Sequence, residues 1–482
     1  MARTPQKGGL VSNGVGLRSE RGPVLLAVMV VTGLVAIDAT ILATAVPSIV
    51  GDLGGFASFP WLFSSYLLAS AVTVPVYSKL ADTIGRKPVI LFGVAAFLLG
   101  SVLCGLAWNM ESLIAFRVVQ GIGAGAILPI SITIIGDIYS LQERARVQGY
   151  VASVWGVASV LGPTLGGLFA QFNIWRAIFF INIPLALVSG FLLIRAYREK
   201  VERRKRSLDI PGAVLLTSAS SLILLGVLEG GRGWEWGSPL GVGIFVVGAA
   251  LLMGFVAVEL RASDPIIALG LFRRRIVSTS VILGVTIGAA LVGLTAYVPT
   301  YLEGTVPTSP VIAGLSLATL TIGWPLAAAI SGWFYLRFGF RPVVLVGAAL
   351  VLVGTAFLAA TAATPSIAFV AISCFVIGFG FGLSAVPSLV AAQSSVEWQE
   401  RGVVTGLNMF GRSIGQAFGV AILGAIANAV IAGHGGDQTD RATLIAASSA
   451  VFIGAAVVAV LLLAAAIALP GRTQPVEAPA SS

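Results

Sequence analysis

The chain alternates long apolar runs with short polar segments. A helix that crosses about 30 Å of hydrocarbon needs roughly 20 apolar residues, and runs of about that length recur along all 482 residues. They predict fourteen membrane helices, at 24–48, 60–78, 88–107, 112–136, 146–170, 176–197, 209–229, 240–260, 277–302, 309–335, 341–362, 366–391, 402–431 and 443–468.

Basic residues set the predicted orientation. Most of the 29 lysines and arginines fall in the termini and in every second loop, for example at Arg86, Arg144 and Arg341. Because basic residues stay on the cytoplasmic face, these loops are predicted to be cytoplasmic. An even number of helices then places both termini inside.

Composition narrows the class of protein. Hydrophobic residues make up 57% of the chain and charged residues 10%, whereas soluble domains carry about 25% charged residues. A large soluble enzyme is therefore excluded, and no enzymatic activity is expected. The net charge of +9 does not indicate nucleic-acid binding, because the basic residues sit in short loops between apolar runs. Cys104 and Cys374 both lie in apolar runs and read as small core residues.

No cofactor is expected. The chain has no G-x-x-x-x-G-K-[ST] segment to cradle a nucleotide phosphate. The glycines at 121, 123 and 125 lie inside an apolar helix and do not follow a strand, so they do not form a dinucleotide fingerprint. No metal-ligand spacing is present either.

A polar segment recurs in the two halves of the chain. Residues 78–88 (SKLADTIGRKP) are predicted to form a tight charged turn between two helices, in which Gly85 suits the backbone. Residues 332–342 (GWFYLRFGFRP) repeat its glycine, basic residue and proline, and Gln-Glu-Arg recurs at 142–144 and 399–401 at nearly the same offset. Two related halves are typical of secondary transporters.

The first of these segments resembles the loop motif G-x-L-a-D-r-x-G-r-K of the major facilitator superfamily. Ser78 stands where that motif begins with glycine, and the matching positions are Leu80, Asp82, Gly85, Arg86 and Lys87. The resemblance implies an all-α fold of two six-helix bundles with pseudo-twofold symmetry. The seventh and eighth helices have no place in the repeat, as in the fourteen-helix branch of drug–proton antiporters.

This organisation predicts five regions. A disordered cytoplasmic N-terminus covers 1–20, and the N-terminal bundle covers 21–200. A basic linker and the two inserted helices occupy 201–275. The C-terminal bundle covers 276–470, and a disordered cytoplasmic tail covers 471–482.

Asp38 and Arg117 are the predicted proton-coupling residues. An ionisable residue inside the membrane is unfavourable and therefore a functional candidate. Asp38 lies about 21 Å into the first helix, and Arg117 enters the fourth from the outside by about 8 Å. Asp38 would take and release the proton; the alternative is a fixed ion pair or a helix cap. The segment around Asp38, Thr40 and Pro47 resembles L-D-x-T-I-V-N-V-A-L-P of the same branch, with Ala43 replacing asparagine.

Two further motifs follow from the resemblance. The segment 162–167 (GPTLGG) resembles the antiporter motif of exporters, through Gly162, Pro163, Gly166 and Gly167. The charged segment resembles a conformational latch that holds the two halves together on the cytoplasmic side. The predicted latch residues are Asp82, Gly85, Arg86, Lys87 and Asp137; the alternative is an ordinary solvated turn.

Polar and aromatic residues of the apolar runs are candidates for the substrate cavity. Arg412 lies near mid-membrane and would bind an anionic group or pair with a carboxylate. The aromatic candidates have an alternative as interface anchors or packing residues. The candidates are Thr40, Gln120, Trp61, Tyr66, Tyr297, Tyr301, Trp324 and Arg412.

The resemblance implies a multidrug efflux transporter of the bacterial inner membrane, a monomer that confers antibiotic resistance. It would exchange protons for lipophilic, drug-like small molecules by alternating access. Three alternatives stay open: export of a lipid or an endogenous metabolite, import by proton symport, and a receptor or scaffold that transports nothing.

Overall fold

The described chain folds into long helices, and successive spanning helices run in opposite directions. The computed structural model describes residues 15–54, 58, 61–199, 209–230, 234–262, 265–267, 269–308, 310–434 and 440–471. The helices are α1 (Gly22–Leu53), α2 (Trp61–Ile84), α3 (Arg86–Gly105), α4 (Met110–Ile138), α5 (Leu141–Gln171), α6 (Ala177–Phe180), α7 (Asn182–Ala196), α8 (Ile210–Glu229), α9 (Pro239–Glu259), α10 (Arg275–Thr305), α11 (Pro310–Phe338), α12 (Phe340–Thr361), α13 (Ile367–Ser394), α14 (Arg401–Gly433) and α15 (Arg441–Ala468).

The membrane-spanning helices agree with the hydrophobic pattern. Within the described residues, thirteen segments are long and apolar enough to cross a bilayer, and α6 and α7 together form one of them. α2 is not among the thirteen, because serines, tyrosines, Lys79 and Asp82 lower its hydropathy. It is nevertheless 24 residues long and packs against α4. With α2 included, the described chain contains the fourteen predicted spans. Of the tails predicted as disordered, residues 15–20 and 471 are described, and the rest lie outside the described residues.

The two halves repeat the same helix packing. α1 packs on α5 as α10 packs on α14, and α2 and α3 flank α4 as α11 and α12 flank α13. The repeated segment also keeps its backbone geometry. Gly85 and Gly339 precede α3 and α12 with φ of 103° and 86°, values that strongly favour glycine. The internal repeat in the sequence is therefore a repeat of structure.

Glycines allow α4 to approach both of its neighbours closely. A Cβ atom built at Gly121 would lie 2.5 Å from a backbone oxygen of α2, and one at Gly123 would lie 2.3 Å from a backbone nitrogen of α3. α13 repeats the arrangement with Gly378 against α11 and Gly380 against α12. Small residues at this spacing bring helix backbones together in a membrane, where packing stabilises the bundle.

The charged segment 78–88 turns at Gly85, as predicted, but the turn is shorter than the hydrophobic pattern indicates. α2 continues to Ile84 and α3 begins at Arg86, so Gly85 alone separates the two helices. Lys79, Asp82 and Arg86 are all buried. The predicted helix ends at 78 and 88 were wrong because these charges have partners inside the protein, which lets the helices continue through them.

The inserted pair, α8 and α9, lies beside the junction of the two halves. α8 contacts both α2 and α14, and a small apolar cluster joins Val72, Leu224, Val227 and Ala417. At the cytoplasmic end, Glu259 of α9 interacts electrostatically with Lys79 of α2 and with Asp209, the N-cap of α8. The inserted pair thus contacts the N-terminal half both through the apolar cluster and at the cytoplasmic end.

The two halves approach each other at their cytoplasmic ends. A Cβ atom at Gly332 of α11 would lie 2.4 Å from the Cα atom of Ala145 in α5. Gly156 and Gly167 lie farther out on the same face of α5, and a Cβ atom at either would meet nothing within 4 Å. The close approach of α5 and α11 therefore lies towards their cytoplasmic ends.

Candidate functional site

Asp38 and Arg117 form a buried ion pair inside the N-terminal half. The Nη1 atom of Arg117 in α4 lies 2.7 Å from Oδ2 of Asp38 in α1. Only 1% of Asp38 and 2% of Arg117 is exposed. Buried charges are tolerated in a membrane when they are paired in this way, so the two residues that the sequence singled out are brought together.

A shell of polar side chains surrounds the carboxylate. Gln120 Nε2 donates to Asp38 Oδ1 at 2.9 Å, and Asn182 Nδ2 lies 3.4 Å from the same oxygen. Ser101 receives hydrogen bonds from both amides, at 3.3 Å from Gln120 and 2.8 Å from Asn182. All of these amides are donors towards the acid, so the network holds the carboxylate in one orientation.

Arg117 also has its remaining contacts within the bundle. Its Nε donates to the carbonyl of Leu62 at 3.1 Å, and its Nη1 donates to Gln120 Oε1 at 2.7 Å. The guanidinium lies over the ring of Tyr66, 4.2 Å from its centroid, which is a favourable cation–π distance. Arg117 therefore has contacts besides Asp38 that would hold it in place if Asp38 were protonated.

Several predicted cavity residues belong to this network or to helix packing instead. Gln120 is fully buried against Asp38, and Tyr66 lies on Arg117. Thr40 donates to the carbonyl of Ala158 in α5 at 3.0 Å. These side chains fill the N-terminal bundle because the buried charges require polar neighbours.

The aromatic candidates of the second half are mainly packing residues. Tyr301 is 1% exposed, donates to the carbonyl of Ala362 at 2.8 Å, and packs edge-on against Phe452. Its placement in a substrate cavity is therefore corrected: it lies in the core of the C-terminal half. Trp324 packs against Phe381, and Tyr297 packs against the same core. The remaining aromatic candidate, Trp61, lies in the N-terminal half, where it begins α2.

Arg412 differs from every other candidate. It lies on α14 and is partly buried, yet it forms no hydrogen bond or ion pair with any residue in the described ranges. No carboxylate of the described residues pairs with it, although the sequence left such a pairing open.

A second charged group lies at the cytoplasmic ends of the helices, and we call it the cytoplasmic cluster: Asp82, Arg86, Asp137, Trp398 and Arg401. The guanidinium of Arg86 lies 2.6 Å from Asp82 and 2.9 Å from Asp137. It also donates to the carbonyl of Trp398 at 3.0 Å and stacks on that indole at 3.8 Å. Arg86 thus binds both halves at once.

The other members of the cytoplasmic cluster add links between the halves. Asp82 Oδ2 accepts from the backbone N–H of Val403 at 2.9 Å. Arg401 donates to the carbonyl of Gly136 at 3.0 Å and lies 3.6 Å from Asp137. A hydroxyl contact of 3.4 Å between α4 and α14 adds a further link between the halves close to this cluster.

Two residues of the predicted latch act within one half. Lys87 donates through Nζ to the carbonyls of Ile194 and Tyr197, both at 2.7 Å, and so binds the end of α7. Gly85 supplies the turn before α3. Lys87 is therefore corrected as a link between the halves: its long side chain points away from the C-terminal half.

Sequence reasoning missed Asn182, Ser101, Trp398 and Arg401. The amide and the hydroxyl gave no signal, since single polar residues in apolar helices are common. Arg401 belongs to the repeated Gln-Glu-Arg, and its counterpart Arg144 also donates to the carbonyl of Gly136. The repeated Gln-Glu-Arg could therefore have predicted that Arg144 and Arg401 occupy equivalent positions in the two halves.

The GPTLGG segment packs α5 against α1. A Cβ atom at Gly162 would lie 1.9 Å from Oγ1 of Thr40, so α5 touches α1 two residues beyond Asp38. Gly166 is buried, whereas Gly167 is exposed. The side chain of Pro163 lies outside the described set. The close approach depends on the first glycine of the motif.

The Gly162→Ala substitution should therefore destabilise the protein by about 1–3 kcal/mol, the usual effect of overpacking, and weaken transport. The added methyl would displace Thr40 and its bond to α5. Gly167→Ala is the matched control, because a Cβ atom there meets nothing within 4 Å. Thermal unfolding in detergent measures the loss of stability, and substrate uptake by membrane vesicles measures the loss of transport. Equal behaviour of the two variants would contradict this packing role.

Comparison with known proteins agrees with the architecture. The chain matches the family model of the Major Facilitator Superfamily over residues 28–420. Multidrug resistance protein 3 of Bacillus subtilis (strain 168) is 36% identical over 395 residues, which cover 81% of this chain and 76% of that protein. The multidrug transporter protein MdtP of the same organism is 34% identical over 415 residues, 86% of this chain and 76% of that protein.

Solved structures share the fold. The proton:xylose symporter XylE superposes with a TM-score of 0.62 at 14% identity, over 90% of this chain and 94% of that chain. This likeness shows a common arrangement of helices.

Proposed function

Because the chain belongs to the major facilitator superfamily, we propose that it exports lipophilic, drug-like molecules in exchange for protons. The buried Asp38–Arg117 pair is the observation that carries this proposal. It places one ionisable acid inside the membrane, held by a cation and two amides. The two multidrug relatives, at 36% and 34% identity, support a drug-like substrate and outward direction.

Asp38 is the proton carrier in this proposal. In the outward-facing form a proton entering from outside neutralises the carboxylate and weakens its bond to Arg117. Arg117 keeps its contacts to Leu62 and Gln120, so the arginine stays anchored while the acid changes charge. Protonation thus alters the packing of α1 against α4, and α1 carries Thr40 and the contact to α5.

The cytoplasmic cluster supplies the second state of the cycle. Its bonds hold the halves together on the inside while the outer side is open. Release of Arg86 from Trp398, and of Asp82 from Val403, would let the inner ends separate. A ligand or proton that binds one arrangement better than the other shifts the balance between them. We propose that the protein works as a monomer in the bacterial inner membrane.

A direct test uses purified protein in liposomes that contain a pH-sensitive dye. A proton gradient is imposed and a lipophilic cation is added. We expect the cation to trigger proton movement in the opposite direction, with a matching flux of the cation. Proton movement in the same direction as the cation would identify a symporter, and absence of any coupled flux would refute the proposed exchange.

A further inference from the structure

The two deep arginines of this protein have opposite surroundings. Arg117 has an acid, an amide, a carbonyl and an aromatic ring around it. Arg412 lies eleven residues beyond Arg401, about 17 Å along α14 at 1.5 Å per residue, and it has no partner in the described part of the chain. An unpaired charge at this depth is strongly unfavourable. None of the residues that the structure describes supplies the group that would balance it.

A second unpaired side chain lies one turn from Arg412. Gln416 is four residues farther along α14, on the same face of the helix, and its amide forms no hydrogen bond among the described residues; it too is partly buried. Asn408, one turn on the other side, is already bound to Ser280, at 2.7 Å to its carbonyl and 2.9 Å to its hydroxyl. The free donors on this strip are therefore those of Arg412 and Gln416.

The backbone that carries these two residues is held firmly. α14 packs so closely on α10 that a Cβ atom at Gly288 would lie 2.1 Å from the carbonyl oxygen of Arg412, and one at Gly415 would lie 1.9 Å from the carbonyl oxygen of Val285. A site on a rigid helix presents its donors in a fixed position. The two side chains form a preorganised pair rather than residues of a mobile loop.

We infer that Arg412 and Gln416 form a subsite for a carboxylate, sulfonate or phosphate group on the transported molecule. A guanidinium offers a planar fork of N–H donors that matches such groups, and the amide N–H of Gln416 adds a donor one turn away. This rests on the proposed export function and predicts that, among its substrates, amphiphiles that carry an acidic group beside an apolar body bind most tightly. The same chemistry occurs on free organic acids and on phospholipid headgroups.

The test compares a rhodamine dye that has a free benzoate with the methyl ester of the same dye. Binding to the purified wild-type protein is measured by fluorescence anisotropy. We expect the acid to bind more tightly than the ester. Arg412→Gln should weaken the acid by about tenfold or more, the range for a hydrogen bond to a charged group, and leave the ester unchanged. Arg412→Lys, which keeps the charge without the fork, should lie between them.

Gln416→Leu keeps the apolar volume, removes the amide donor, and should weaken the acid by a smaller factor than Arg412→Gln. Equal binding of acid and ester to the wild type would overturn the subsite, and that measurement needs no variant. Equal weakening of both dyes by Arg412→Gln would also overturn it.

Added phosphatidylglycerol distinguishes the two sources of the anion. If this lipid displaces the acid from the wild type, the subsite takes lipid phosphate as well; if it does not, the site is selective for the soluble acid. Phosphatidylcholine serves as the comparison lipid. Failure of the subsite is distinguishable from failure of the export function, because the ester would still be exchanged for protons in liposomes.

Discussion

Asp38→Asn should abolish substrate-driven proton movement, to the level of liposomes without protein. Asparagine has nearly the same shape and cannot exchange a proton. The substitution also leaves Arg117 buried without its counter-charge, which destabilises a protein by about 3–5 kcal/mol. Dye-loaded liposomes measure the proton flux, and thermal unfolding in detergent measures the loss of stability.

The controls separate chemistry from stability. Asp52 also lies on α1 and pairs with an arginine, Arg176, at 2.7 Å, but at the exposed outer end. Exposed pairs contribute about 0–1 kcal/mol, so Asp52→Asn should transport normally. The double variant Asp38→Asn with Arg117→Gln removes both buried charges and should recover stability without recovering proton flux. Proton flux that persists in Asp38→Asn would move the coupling site elsewhere.

Arg86→Gln should open the cytoplasmic side. The substitution removes the only side chain of the cytoplasmic cluster that binds Asp82, Asp137 and Trp398 together. Loss of one partner from a buried ion pair is worth about 3 kcal/mol or more, which corresponds to about a hundredfold shift between two states. Transport should fall sharply, since the outward-facing state would no longer be stable.

A thiol placed at the junction reports this opening. Thr133 is fully buried and contacts Thr405 across the two halves. In a background with both native cysteines replaced, Thr133→Cys should resist a membrane-permeant maleimide, and adding Arg86→Gln should make it reactive. Arg341→Gln is the matched control, because Arg341 belongs to the repeated segment and, among the described residues, donates to the carbonyl of Ile467 within its own half. Equal protection of the thiol in both variants would show that the cytoplasmic cluster does not hold the halves together.

The sequence was sufficient for the architecture because the bilayer imposes a strong constraint. A spanning helix must be long and apolar, so the hydrophobic runs locate the helices within a few residues. The repeat was readable because Gly85 and Gly339 occupy a backbone conformation that few other residues adopt. Hydropathy failed to locate a helix end where charged residues have partners inside the protein. The predicted second helix stops at 78, whereas α2 continues to Ile84.

The site was only partly readable, since ionisable residues stand out in apolar helices and neutral polar residues do not. Asp38 and Arg117 were recognisable for that reason, and their contact agrees with the similar depths predicted for them. Asn182 and Ser101 come from other helices, so their contribution depends on packing that no spacing reveals. Arg412 was recognisable as a deep charge, but that no described residue pairs with it could be known only from the three-dimensional structure.

The position of α8 makes the protein asymmetric in the plane of the membrane. The twofold repeat creates two seams between the halves, one where α2 meets α14 and one where α5 meets α11. α8 covers the first seam with Leu224 and Val227, whereas the described parts of α8 and α9 do not pack on the second. A hydrophobic molecule that diffuses laterally within the lipid therefore meets one seam that α8 shields and one that it does not. The two sides of the protein differ in this way although its two halves are alike.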